Sequence, residues 1–150
     1  IVASQHGFEV CHVDALKQLV QWGKSMMLDN HLANIRWICD DAPTFVQREI
    51  RRGNRYDLIL ADPPAFGYGK AKRPWKIEKD LIPFLNSCKQ ILNPKAVISL
   101  SVYTEKIHLK SLIKEIVDIG FTLEEHIKID GEDRFGQCID HGHILRLKAV

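Results

Sequence analysis

Residues 58 to 66 join an apolar run, Leu58-Ile59-Leu60-Ala61, to an acidic residue, two prolines and an aromatic, Asp62-Pro63-Pro64-Ala65-Phe66. Four apolar residues without alternation are expected of a parallel strand covered on both faces, which puts Asp62 at the strand's carboxyl end. Ligands bind along that edge in open α/β sheets. The prolines fix φ and remove two backbone donors, so the turn presents acceptors suited to a planar amine. A proline-terminated turn with an N-capping Asp accounts for the same residues without chemistry. Acidic residues end two earlier segments as well: Asp14 follows residues 10 to 13, and Asp40-Asp41 follow residues 35 to 39. A carboxylate in such a place can accept the ribose hydroxyls of a nucleoside cofactor or cap the helix that comes next.

Alternating strands and helices must position these groups. Val10 to Val13 reads as a strand, and Ala15 to about Asn30 as a helix with Leu16, Leu19, Val20, Gly23 and Met27 on one face. Ile35 to Cys39 is a second strand. Asp40 or Asp41 caps the next helix, with Pro43 in its first turn, Ala42, Phe45, Val46 and Ile50 inward, and Gly53 as its stop. After the Asp-Pro-Pro strand and a glycine-containing basic loop, Leu81 to Leu92 marks a helix ending at Asn93-Pro94. Ala96 to Val102 is a buried strand, and Thr104 to Asp118 a helix stopped by Gly120. Residues 121 to 129 and 144 to 150 form a closing antiparallel pair. This alternation implies one doubly wound parallel sheet, and 150 residues with 45% hydrophobic composition suffice for one domain.

Charge is modest, +2 overall, and unevenly placed. Arg48, Arg51, Arg52 and Arg55 form one cluster. Lys70, Lys72, Arg73 and Lys76 form another, interleaved with Tyr68 and Trp75 just past the Asp-Pro-Pro turn, a mixture suited to phosphate contacts and base stacking. Cys11, Cys39, Cys88 and Cys138 share no Cys-x-x-Cys spacing, so neither a zinc site nor a disulfide framework is expected and a reducing, cytoplasmic setting fits. The seven histidines lack metal-ligand spacing, and no apolar run approaches the roughly 20 residues that span a membrane.

The element Asp62-Pro63-Pro64-x-Phe66 resembles motif IV of S-adenosylmethionine (SAM) dependent class I methyltransferases, in the form found in the large-subunit ribosomal RNA methyltransferase family. The likeness extends through Ile35 to Ile38, Asp40 to Ala42, Arg48 to Gly53, Arg55 to Asp57, Gly67 to Gly69 and Trp75-Lys76, and it is similar to a subgroup of cytosine-C5 RNA methyltransferases. It implies a Rossmann-like sheet with an antiparallel last strand, of which this chain holds the second to seventh strands. The first strand and its glycine-rich turn, which approaches the methionine part of SAM, are absent. The resemblance thus implies that the 1–150 catalytic domain is the amino-terminally incomplete part of a longer protein.

Site roles follow from the same resemblance. Asp14, in His12-Val13-Asp14-Ala15, is expected to hold the SAM ribose. Asp41, with Asp40 beside it and Cys39 and Ala42 lining the pocket, is expected to receive the adenine amino group. A target base must leave its stack, so Phe66 is expected to stack on it while Asp62, Pro63 and Pro64 supply polar contacts. Cytosine C5 becomes nucleophilic only after a thiolate adds to C6, and family members with that chemistry carry a Cys where this chain has Ser99-Leu100-Ser101-Val102-Tyr103. Cys138, in a loop from Gly131 to Gly142, is the remaining candidate thiol, with His141 a candidate base. The expected activity is SAM-dependent methylation of RNA. The rivals are an inactive RNA-binding or scaffold module of the same fold, favoured by the absent glycine turn, and a nicotinamide domain, disfavoured because it would leave Asp-Pro-Pro-x-Phe without a role.

Overall fold

The computed structural model describes residues 1–32, 34–67, 74–103 and 107–149. In chain order the elements are α1 (Val2–Gln5), β1 (Val10–Asp14), α2 (Lys17–Asp29), β2 (Ile35–Cys39), α3 (Ala42–Arg52), β3 (Tyr56–Ala61), β4 (Phe66–Gly67), β5 (Trp75–Lys76), α4 (Ile77–Lys89), β6 (Leu92–Val102), α5 (Leu109–Asp118), β7 (Phe121–Glu132) and β8 (Cys138–Ala149).

Local chemistry sets several boundaries. Asp41 caps α3, its Oδ2 accepting from Thr44 N at 3.2 Å and Thr44 Oγ1 at 2.9 Å, and Gly53 ends the helix at φ 70°. Asp14 Oδ1 accepts from Leu16 N at 2.6 Å. This turn delays α2 to Lys17, two residues beyond the expected start. Gly23 is where α2 meets the sheet: a Cβ there would lie 2.3 Å from the Trp37 ring. The helix expected to run to Asn93-Pro94 ends at Lys89, and Leu92 already pairs with Tyr56. The ladder skips from Leu92 to Val97 around Pro94, which has no N–H to donate, and Lys95, at φ 70°. The last helix begins at Leu109, while the expected start at Thr104 and the basic residues Lys70, Lys72 and Arg73 with Tyr68 lie outside the described residues.

The strands form two main groups, β1 parallel to β2 and a four-stranded β3-β6-β8-β7, with β3 parallel to β6 and both β8 pairings antiparallel. Among the described residues, no strand pairs with the second edge of β1 or of β3. Helices lie on both faces, as the double winding predicts. Trp37 packs on α2, whereas its neighbour Arg36 reaches Glu49 on α3. From α3 through α4 and α5 runs the core, including Leu81, Leu85, Ile98, Leu100, Ile116 and Leu147.

Glu49 joins the two strand groups. Its buried carboxylate accepts from Tyr56 Oη at 2.5 Å, Asn54 Nδ2 at 2.7 Å, Arg52 at 3.0 Å and Arg36 at 3.3 Å. Arg36 belongs to β2 and Tyr56 to β3, so one α3 side chain holds both at a fixed spacing. Arg36 also donates to Cys11 Sγ at 3.3 Å.

One expectation fails here. The run 58–61 is covered on one face only: Ile59 and Ala61 pack into the core, but Leu58 is 43% exposed and Leu60 69%. They point to the side of the sheet that α2 covers, and among the described residues α2 packs chiefly on β1 and β2. Leu19 and Trp22 on α2 are exposed too. Farther along the sheet, Arg146 pairs with Glu124 and Glu125, and Lys148 with Glu124. Bare apolar side chains on this face thus border β3, where no ion pair among the described residues covers them.

Candidate active site

Asp14 and Asp41 stand at the carboxyl ends of adjacent strands, which are bonded there through Asp40 N donating to Asp14 O at 3.1 Å. Each carboxylate uses one oxygen locally, Asp14 for Leu16 and Asp41 for Thr44, and the second oxygen has no partner among the described residues. Capping thus leaves one carboxylate oxygen of each side chain available. Asp40 differs: its buried carboxylate is ion-paired with Arg48 of α3. Ala42, half-buried, opens α3 beside Asp41. The acceptor set suits a nucleoside: two carboxylate oxygens at neighbouring strand ends, able to accept hydroxyl and amino hydrogens.

Asp62 leaves β3 exposed at the same edge. The turn after it is braced, since Trp75 Nε1 donates to Pro64 O at 2.8 Å and Ile77 N to Ala65 O at 3.2 Å. Trp75 also meets Phe84 edge-on, with ring centroids 5.9 Å apart. The Pro64 carbonyl expected to face a ligand thus already serves the indole, and Trp75 is a buttress for the turn and not the stacking platform its basic neighbourhood suggested. Phe66 pairs with Lys76 across the β4–β5 ladder and remains 41% exposed. Of the first arginine cluster, Arg48 and Arg52 are held by Asp40 and Glu49.

At the next strand end stands Tyr103, 53% exposed, a residue not singled out for any role in the sequence. Burial and the nearby Asp62 charge both push its phenol pKa upward. The winding order held the signal: the strand after the Asp-Pro-Pro strand lies beside it, so its terminal residue borders Asp62. Gly142 fixes the Tyr103 backbone. It sits at φ 96°, a Cβ there would lie 2.4 Å from Val102 O and 2.7 Å from Tyr103 Cα, and its N–H is accepted by Asp140 Oδ1 at 2.7 Å.

The expected loop from Gly131 to Gly142 is largely a β ribbon. β7 and β8 continue past Val102, the end of β6, to the pair Glu132–Cys138. Asp133 shapes the tip, accepting from Phe135 N at 2.8 Å and Gln137 N at 2.9 Å. Cys138 is exposed and five residues outward from His143, the residue opposite Val102, about 17 Å along the ribbon. The structure therefore does not bring Cys138 to Asp62. Cys88 is buried, with its thiol pushed up to about 12. Among the described residues no group of three His, Cys, Asp or Glu could hold a metal, and no helix is long and apolar enough to cross a membrane.

A parallel and antiparallel sheet in this order, with helices on both faces, is the class I methyltransferase fold. The chain shares it with the SAM-dependent methyltransferase from Agrobacterium tumefaciens, at 33% identity and a TM-score of 0.82 over 99% of this chain. It spans about half of that relative, 51% of its length. A protein assigned as a methyltransferase and solved with SAH aligns at 20% identity and TM-score 0.75, covering 93% of this chain and 38% of its own. One assigned as an rRNA methylase from Clostridium thermocellum aligns at 12% and 0.59, covering 95% and 75%. No family model matches the sequence, and no curated protein does.

Proposed function

We propose that the chain is the catalytic part of a SAM-dependent methyltransferase acting on RNA, with a base of large-subunit ribosomal RNA as its target. The observation that carries the reading is the shared edge: carboxylates with a free oxygen end β1 and follow β2, and the acceptor-rich Asp62 turn follows β3. The Agrobacterium relative supports methyl transfer, and the Clostridium one, through its fold, is compatible with RNA. Four unpaired cysteines suit a reducing, cytoplasmic setting.

In this reading Asp14 holds the ribose of SAM and Asp41 its adenine amino group, while Ala42 lines the pocket and Asp40, neutralised by Arg48, keeps the β2 end rigid. Bound there, SAM supplies an electrophilic methyl group. Asp62 and the Pro63 carbonyl accept hydrogens from the target base, and Phe66 offers a ring face. The protein's contribution is positioning and exclusion of water. Transfer proceeds without a thiolate, because Cys138 stands out on the ribbon.

The free edges of β1 and β3 belong to parallel strands, and Leu58, Leu60, Leu19 and Trp22 are bare on one face beside them. The reading therefore includes one further parallel strand between these edges, followed by a helix on the α2 side, contributed by polypeptide outside residues 1–150.

Calorimetric titration of the full-length protein with SAM, followed by transfer of labelled methyl from SAM to unmodified large-subunit RNA, tests the reading. Saturable SAM binding with RNA labelling is expected. Binding with labelled DNA or a labelled small molecule, and no RNA signal, would refute the substrate.

A further inference from the structure

Among the described residues, the Asp62 turn is almost entirely an acceptor surface. Asp62 is a carboxylate, Pro63 and Pro64 have no N–H, and the Trp75 indole hydrogen is already given to Pro64 O. The hydrogen-bonding edge of every nucleobase, however, carries acceptors beside its donors. A site made of acceptors alone would desolvate a ring nitrogen or carbonyl of the base and return nothing to it. A donor must stand next to Asp62.

Tyr103 is placed for that. β3 and β6 run side by side with Ala61 opposite Leu100, so Asp62 and Tyr103 leave neighbouring strands at the same edge. Along β6 the buried residues Ile98, Leu100 and Val102 face the core, and alternation puts Ser99, Ser101 and Tyr103 on the opposite face, the same side as Leu60. The Tyr103 hydroxyl has no hydrogen-bond partner among the described residues, and its ring is half exposed. Its backbone is held against Gly142, where a side chain does not fit. An exposed phenol on a fixed backbone beside a carboxylate is preorganised for a ligand. A phenol is protonated, and so a donor, at neutral pH, and burial and the Asp62 charge push its pKa further upward.

Resting on the reading of the Asp62 turn as the base site, we propose that Tyr103 and Asp62 form a donor–acceptor pair that reads the target base, Asp62 accepting its N–H and the Tyr103 hydroxyl donating to the adjoining ring nitrogen or carbonyl oxygen. Tyr103 touches the substrate and not the cofactor.

The test uses the full-length protein with ring-labelled tyrosine, titrated with each of the four ribonucleoside 5′-monophosphates and observed by NMR, the Tyr103 signal being assigned from Tyr103→Phe. One nucleotide should shift the Tyr103 signal to saturation. Tyr103→Phe should then weaken that nucleotide about tenfold, Asp62→Asn should do likewise, and SAM affinity should be unchanged in both. A Tyr103 signal unmoved by all four nucleotides, or wild-type affinity in Tyr103→Phe, overturns the pair. Loss in Tyr103→Leu alone would make the ring a stacking surface and overturn the donor role. Failure of the methyltransferase reading shows separately, as absence of SAM binding in the wild-type protein.

Discussion

Tyr56, the first residue of β3, donates its hydroxyl at 2.5 Å to Glu49, a fully buried carboxylate on α3 that is also held by Arg36 from β2. Burial by itself would raise the Glu49 pKa, but hydrogen bonds from Tyr56, Asn54, Arg52 and Arg36 outweigh it and hold the group at about 2, below its ordinary 4.5. A depressed carboxylate stabilises the fold above its unfolded pKa and loses that contribution as pH falls. Between about pH 4.5 and 2 the full-length protein should therefore lose on the order of 3 kcal/mol. Glu49→Gln should be less stable at pH 6 and should show a flatter acid limb, as read by urea unfolding at several pH values.

Asp14→Asn retains an oxygen for Leu16 N–H and removes the charge, so it separates the turn from the cofactor. SAM affinity should fall about tenfold, since a hydrogen bond to a charged group contributes roughly 1.5 to 3 kcal/mol, with thermal stability nearly unchanged. Unaltered affinity by calorimetry would remove Asp14 from the cofactor site. Asp40→Ala should do the converse, lowering stability by stranding Arg48 and sparing SAM affinity.

Phe66→Ala should reduce methyl transfer while SAM binds as in the wild type, because the ring is assigned to the base. Cys138→Ser should keep wild-type turnover, given its place on the ribbon. A dead Cys138→Ser enzyme that still binds SAM would show that the ribbon folds back over the site and that a thiolate takes part.

Gly142→Ala combines a left-handed φ of 96° with contacts of 2.4 and 2.7 Å, and strain of this kind costs about 1–3 kcal/mol before the clash is counted. A fall in melting temperature by several degrees is expected. An unshifted melting curve would mean that the ribbon and Tyr103 are not locked together as described.

The winding order is legible in the sequence because each parallel pair demands a crossover helix, and the placement of Asp14, Asp41 and Asp62 at strand ends is legible because strand ends are countable along the chain, whereas their roles remain proposals. The ion pair of Asp40 with Arg48 was out of reach: both acidic neighbours look alike until the helix turns one toward an arginine. The ribbon was missed for a different reason. Residues 130 to 142 are polar and glycine-containing, a loop composition, yet Asp133 and Gly136 shape a tight tip and cross-strand pairing carries the rest. The one-sided exposure of Leu58 and Leu60 depends on what packs beside the strand, which an apolar run cannot specify.

The tie through Glu49 has a thermodynamic side. Asp14 belongs to one strand group and Asp62 to the other, so a ligand set touching both carboxylates couples occupancy to the geometry between the groups. Anything that binds the folded arrangement and not the unfolded chain stabilises it by RT ln(1 + [L]/Kd). Under the proposed assignment, cofactor concentration would be a variable of folding as well as of rate, and the gap between β1 and β3 is where the two would meet.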